Sequence, residues 1–136
     1  MAQKRIILCD SNVFFDYFRG KPTMLQELSY LGFDRLAISA VTIAEVYAGM
    51  NKGEVRRTRE IINQFSWYDF NTEMSRRFLQ LMNGHYERRP GLPDMMIAAT
   101  ALIANVDVFT LNRKDFDFLP GLRLYNPQYQ HNQPPA

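Results

Sequence analysis

Four carboxylates sit at the edges of apolar elements along this chain. Asp10 closes the run Ile6-Ile7-Leu8-Cys9, and Glu45 interrupts the helical-looking run Val41 to Gly49. Asp94 opens the apolar stretch that begins Met95-Met96-Ile97, and Asp115 follows the strand-like Val108-Phe109-Thr110. A carboxylate beside buried surface is costly unless it is paired or binds a metal. Four of them in such settings predict one shared Mg²⁺ or Mn²⁺ site. Hard cations of this kind take few carboxylates, several waters and phosphate oxygens. Such a site can activate water and stabilise charge on a scissile phosphate. The residue types therefore point to metal-dependent phosphodiester hydrolysis.

Each acid also has a plain structural reading. Asp10 could cap a helix. Asp94 could be an acid placed favourably near a helix N-terminus after Pro93. Asp115 could be a turn residue before Phe116. On a helix, Glu45 shares its face with Val41, Ala48 and Gly49. A Glu on that stripe needs a partner, and a buried ion pair with an arginine is the alternative to a metal. Other chemistries fit the chain less well. Zinc would want Cys or His, and Cys9, His85 and His131 show no ligand spacing. No nucleophile setting for a thiol or serine triad is present, and His85 reads as a surface helix residue. No Gly-rich phosphate loop is present.

The elements that must position these acids alternate in type. Strands are expected at 5–9, 36–39, 67–70, 108–111 and 123–125. Helices are expected at 13–18, 22–31, around Glu45, at 54–64, 72–86 and 93–104. The first strand is a compact apolar run without alternation, the pattern of a buried strand. This order predicts an α/β domain with a largely parallel central sheet. In open α/β sheets, sites form beyond the carboxyl ends of strands. Asp10 and the segment Asn112 to Asp115 both follow strands directly.

The chain has 136 residues, 46% hydrophobic and 22% charged, so it can bury a core as one domain. Its single cysteine cannot form an internal disulfide, which fits a reducing, cytoplasmic setting. The apolar stretch Met95 to Val106 is too short to span a bilayer, so no membrane association is expected. The polar, Pro-rich segment 128–136 has little to bury and reads as a mobile tail beyond a domain of residues 1–127. The net charge of +2 permits nucleic-acid binding without requiring it. Basic pairs occur at Arg56-Arg57, Arg76-Arg77, Arg88-Arg89 and Arg113-Lys114.

The segments carrying the acids resemble the PIN-domain family, above all its VapC-type toxin ribonucleases from toxin–antitoxin pairs. The resemblance runs in order through Ile7 to Val13, Ile38 to Gly49, Pro93 to Leu102, Thr110 to Phe116 and Gly121 to Pro127. It implies a PIN-like fold, a central parallel sheet flanked by helices. It implies cleavage of RNA, transfer or ribosomal, with Mg²⁺ or Mn²⁺. By motif position it makes Asp10, Glu45 and Asp94 the acidic core. The fourth acid falls in the segment Asn112 to Asp115. Because Asn112 is not acidic, Asp115 is the expected acid and Asn112 a polar supporter. Ser11 and Asn12 would orient Asp10 or a water. Leu111 departs from the basic residue often found there. Arg88, Arg89, Arg113 and Lys114 are candidates for RNA phosphates. The resemblance also implies a homodimer and a VapB-like antitoxin. Phe14, Phe15, Tyr17 and Phe18 could supply the antitoxin surface, although most of these aromatics read as core. Two rival activities share the same residues: a PIN-like module that binds RNA or protein without cutting, and a structure-specific DNA nuclease.

Overall fold

The computed structural model describes residues 5–131. Four short strands form one parallel sheet: β1 (Ile7–Cys9), β2 (Leu36–Ser39), β3 (Ser66–Tyr68) and β4 (Asp107–Phe109). Their order across the sheet is β3-β2-β1-β4. The helices between them are α1 (Ser11–Phe18), α2 (Pro22–Leu31), α3 (Ala40–Ala48), α4 (Val55–Ile62), α5 (Thr72–Gly84) and α6 (Leu92–Ala104). This is the expected α/β class with a parallel sheet between helices.

Strand alternation sorts the core into two layers. Ile7, Cys9, Leu36, Ile38 and Phe109 face a cluster that includes Val13, Phe14, Met24, Leu28, Ile61 and Ile62 from α1, α2 and α4. Leu8, Ala37 and Val108 face the opposite cluster, with Leu81 from α5 and Met95, Ile97, Ala98 and Ala101 from α6. Successive strand side chains point to opposite faces, so a strand covered on both sides must be apolar throughout. That is why β1 and β2 read as unbroken runs; every residue of both is buried.

The helix ends have local causes. Gly32, at φ 84°, ends α2, and a Cβ there would meet Asp34 Oδ1 at 2.8 Å. Asn105, in the left-handed region at φ 57°, ends α6. Asn71 caps α5 by accepting from the Met74 N–H at 2.9 Å. Asn71→Ala is expected to cost about 1 kcal/mol of stability, the usual loss for an N-cap. Urea melts of the two proteins would measure it.

Two expectations differ from the structure. The fifth strand at 123–125 is reduced to a single parallel bridge between Val108 and Leu124. Tyr125 donates its N–H to Val108 O at 2.7 Å but turns its carbonyl to Arg113, so the ladder stops there. Part of the segment expected as a mobile tail, residues 128–131, is bonded to the domain. Gln128 and Tyr129 donate their N–H groups to the buried Glu27, and His131 packs against the same carboxylate. The segment 128–131 is therefore held to the domain, whereas residues 132–136 lie outside the described residues. Among the described residues, no helix is long and apolar enough to cross a membrane.

Candidate active site

The sheet register brings the first acid and its neighbours together. Cys9 pairs with Phe109, and the next residue, Asp10, donates its N–H to Phe109 O at 2.9 Å. Asp10 therefore stands beside Thr110, one step past the end of each strand. Thr110 Oγ1 donates to Asp10 Oδ2 at 2.8 Å. The Ser11 N–H donates to Asp10 Oδ1 at 2.7 Å, so Asp10 also caps α1. Asn12 accepts from the Leu111 N–H at 3.2 Å through Oδ1. That bond turns its amide nitrogen towards Asp10 Oδ2 and Thr110 Oγ1, both at 3.4 Å. The capping and site-building readings of Asp10 are thus compatible: one carboxylate oxygen holds the helix and the other is held by Thr110.

The remaining acids arrive from neighbouring elements. β2 lies beside β1 and ends at Ser39, whose Oγ accepts from the Thr42 N–H at 3.1 Å and starts α3. Glu45 follows on that helix. Its Oε1 is buried and, among the described residues, has no hydrogen-bond partner. Asp94 lies in the first turn of α6 and is half-buried. Asp115 is exposed on a short 3-10 turn, Arg113–Asp115, after β4.

The charges of Asp10, Asp115 and Glu45 all act on Asp94. Burial, and then the charges of Asp10, Asp115 and Glu45, push the Asp94 carboxyl up to about 7. Burial first and Asp10 second push Glu45 above the usual carboxylate range. Asp10 is also raised, mainly by burial and slightly by Asp115, against the lowering bonds from Thr110 and Ser11. Among the described residues, no ion pair involves any of the four. The arginine partner considered for Glu45 is therefore absent from that set. The Asn112 N–H donates to Thr110 Oγ1 at 3.0 Å, so its backbone braces the site. Asp115 is the residue of this segment whose negative charge acts on Asp10 and Asp94.

Among the described residues, no three Asp, Glu, His or Cys side chains close into a ready metal cage. Open carboxylate sets suit Mg²⁺, which demands octahedral geometry and keeps several waters. The donor set here is chemically suited to such an ion: oxygen donors only, carboxyls of Asp10, Glu45 and Asp94 raised above their ordinary range, and an orphaned Glu45 oxygen. Cys9 is fully buried and its thiol is pushed up by burial, so it offers neither a ligand nor a nucleophile.

The basic candidates separate. Lys114 and Arg89 are exposed, and Arg89 sits in the left-handed region at φ 49°. Arg88 is exposed but lies over the Phe118 ring, 4.4 Å from its centroid. Arg113 departs from the expectation of a free phosphate contact. Its guanidinium donates to Tyr125 O at 2.9 Å and Asn126 Oδ1 at 3.2 Å, so it ties the chain to itself. His85, expected on a surface, packs edge-on against Phe118 at 5.2 Å. Of the four helix α1 aromatics, Phe14 is fully buried, and Phe15, Tyr17 and Phe18 are partly buried against the core.

Thr110 was not among the residues marked in the sequence. Its only signal was a hydroxyl residue directly after an apolar strand, a common and unspecific pattern. The β1–β4 register supplies the missing information.

Comparison with known proteins places this arrangement among relatives. The sequence model of the PIN domain matches residues 7–120. Ribonuclease VapC10 of Mycobacterium tuberculosis is 33% identical over 122 residues, covering 87% of this chain and 91% of that protein. A toxin–antitoxin complex from Klebsiella pneumoniae contains a chain 32% identical, with TM-score 0.73, over 85% of this chain and 94% of that one. A DNA-bound VapBC from Salmonella typhimurium superposes with TM-score 0.79 over 90% of this chain and 98% of that one. At 22% identity the last likeness speaks for the fold alone.

Proposed function

The chain belongs to the PIN domain family, and from that premise we propose that it is a metal-dependent endoribonuclease, the VapC-type toxin of a toxin–antitoxin pair. One observation supports the reading: the charges of Asp10, Asp115 and Glu45, carried by separate elements, all act on Asp94, and no ion pair among the described residues offsets them. A cluster kept at that electrostatic cost makes sense if a divalent cation offsets it.

Asp10, Asp94 and Asp115 would hold Mg²⁺ or Mn²⁺, directly or through water, and Glu45 would complete the set. When bound, the ion supplies Lewis acidity and charge neutralisation at the scissile phosphate. The protein's own groups do the rest. Thr110, Ser11 and Asn12 fix the Asp10 carboxylate before substrate arrives. Such preorganisation costs no rearrangement at the moment of reaction. Glu45, whose Oε1 is buried without a hydrogen-bond partner among the described residues, would complete the acidic set or help position the attacking water. Exposed Arg89 and Lys114, with Arg88 braced on Phe118, would hold RNA phosphates. The substrate class is cytoplasmic RNA, transfer or ribosomal.

A VapB-like antitoxin belongs to the same reading. A groove lined by Phe14, Phe15, Phe18, Val46 and Met50, and on its polar side by Arg19, Asn51, Glu54 and Thr58, would seat its helix. A homodimer does too; Tyr47 and Trp67 stand 44% and 50% exposed beside the sheet edge formed by β3.

The test uses the full chain with labelled single-stranded RNA and DNA of one sequence, with and without Mn²⁺. Internal cleavage of the RNA, and only with metal, is the expected result. Cleavage of the DNA alone would make the protein a DNA nuclease. Binding of RNA without cleavage of either strand would make it a binding module, and both outcomes overturn the proposal.

A further inference from the structure

Glu27 is fully buried in α2, yet the acidic site does not use it. Both of its oxygens are saturated by one distant segment. Oε2 accepts from the Tyr125 hydroxyl at 2.7 Å and the Gln128 N–H at 3.0 Å. Oε1 accepts from the Tyr129 N–H at 3.0 Å and contacts His131 Nε2 at 3.0 Å. Burial raises this carboxyl, but the bonds from His131, Tyr125, Tyr129 and Gln128 outweigh it and leave the group below its ordinary range. A buried charge of this kind is tolerated only when its acceptor capacity is filled.

The captured segment leads back to the acids. Tyr125 is gripped on four sides. Its hydroxyl is on Glu27, its N–H on Val108, its carbonyl on Arg113, and its ring 5.0 Å from Phe109. The His131 ring packs edge-on against the same Phe109 at 5.8 Å. Phe109 is the residue whose carbonyl accepts from Asp10. Arg113 lies in the turn between Asn112 and Asp115. One buried carboxylate thus anchors the strap that backs β4 and clamps the turn bearing the fourth acid.

We propose that Glu27 is a positioning residue for the acidic site: by capturing residues 125–131 it fixes Tyr125 between Phe109 and Arg113 and so holds Thr110, Asn112 and Asp115 in place around Asp10. The proposal rests on the nuclease reading for its effect on activity, but not for its effect on the turn.

The test compares the full-length protein with Glu27→Gln and Tyr125→Phe. Gln keeps the volume but presents an amide N–H₂ to donors, so two of the four bonds lose their acceptor. Tyr125→Phe deletes one hydroxyl and keeps the ring on Phe109. Amide hydrogen exchange reads the structure. The Leu111, Asn112, Asp115 and Phe116 N–H groups are all bonded within the site or its turn and serve as probes. In Glu27→Gln these amides should exchange faster together with 128–129, while α5 is unchanged. The Mn²⁺ concentration for half-maximal RNA cleavage should rise by roughly tenfold, the scale seen when groups supporting metal ligands are lost. Tyr125→Phe should shift both readouts in the same direction by less. Faster exchange at 128–129 with unchanged exchange at 111–116 overturns the proposal. So does unchanged exchange throughout. If Glu27→Gln does not fold, Tyr125→Phe is judged by the same criteria. If the wild-type protein does not cleave RNA, the nuclease reading fails, and the exchange comparison still decides whether Glu27 holds the turn.

Discussion

Asp94→Asn is expected to remove metal-dependent RNA cleavage and, at the same time, to stabilise the metal-free protein. The two effects share one cause. The Asp94 carboxyl is pushed up to about 7 by burial and by the charges of Asp10, Asp115 and Glu45. An amide at this position removes a proposed metal ligand and one negative charge. The loss in kcat/KM should be roughly 100- to 1,000-fold, the scale for deleting one preorganised group that stabilises transition-state charge. For stability the sign follows from linkage. The ordinary value for an Asp carboxyl is 3.8, and the folded value is about 7. A raised folded pKa contributes stability that is fully present below 3.8 and is lost as pH rises through about 7. At pH 8 the wild-type cluster therefore carries its full repulsion. The melting temperature of metal-free Asp94→Asn should exceed that of the wild type at pH 8, and the gap should close below pH 4. Mn²⁺ should raise the wild-type melting temperature and leave the variant nearly unchanged, because a ligand stabilises only the state that binds it. Wild-type cleavage by the variant would remove Asp94 from the site. A lower melting temperature at pH 8 would mean that its carboxylate makes a structural bond instead.

Thr110→Val is the second large effect, and it acts through Asp10. The change keeps shape and deletes one hydroxyl. That hydroxyl donates to Asp10 Oδ2 at 2.8 Å and accepts from the Asn112 N–H at 3.0 Å. Without it, Asp10 Oδ2 retains only the long 3.4 Å contact from Asn12, and the Asn112 N–H loses its acceptor. Thr110 is buried, and Asp10 is only 4% exposed, so water cannot readily replace the bond. Stability should fall by about 1–3 kcal/mol, the cost of leaving a buried polar group unsatisfied. Cleavage should fall by roughly 10- to 100-fold, as for lost support of a metal ligand. Thr110→Ser restores the hydroxyl and should recover most of the activity, though not all of the packing. Urea melts and RNA cleavage rates measured on the pair separate the two contributions. Equal activity in Thr110→Val and the wild type would show that Asp10 does not depend on this bond.

The sequence made the fold class and the candidate acids legible for local reasons. Buried parallel strands are largely apolar on both faces, so β1 reads as Ile-Leu-Cys and β2 as Leu-Ala-Ile before the capping Ser39. Acids that end such runs or interrupt α3 stand out against them. The C-terminal region was read less well. Gln128 and Tyr129 look like free tail because what they bind is backbone to a carboxylate about 100 residues earlier. The Arg113 side chain looks like a phosphate ligand for the same reason: its partners, Tyr125 O and Asn126 Oδ1, are tertiary. Glu27 did leave a trace. It shares a helical stripe with Met24, Leu28 and Leu31, where a solvated Glu does not belong.

By itself, then, the sequence determined the alternation of strands and helices and the family-like motifs that mark Asp10, Glu45, Asp94 and Asp115 as candidate acids. These are properties of residue type at short spacing. Only the tertiary structure decided that Thr110 holds Asp10 and that Glu27 binds the segment 125–131. Each of those depends on strand register or on a contact across most of the chain. Hydrophobic periodicity specifies which face of an element is buried, but not which distant polar group will meet it there.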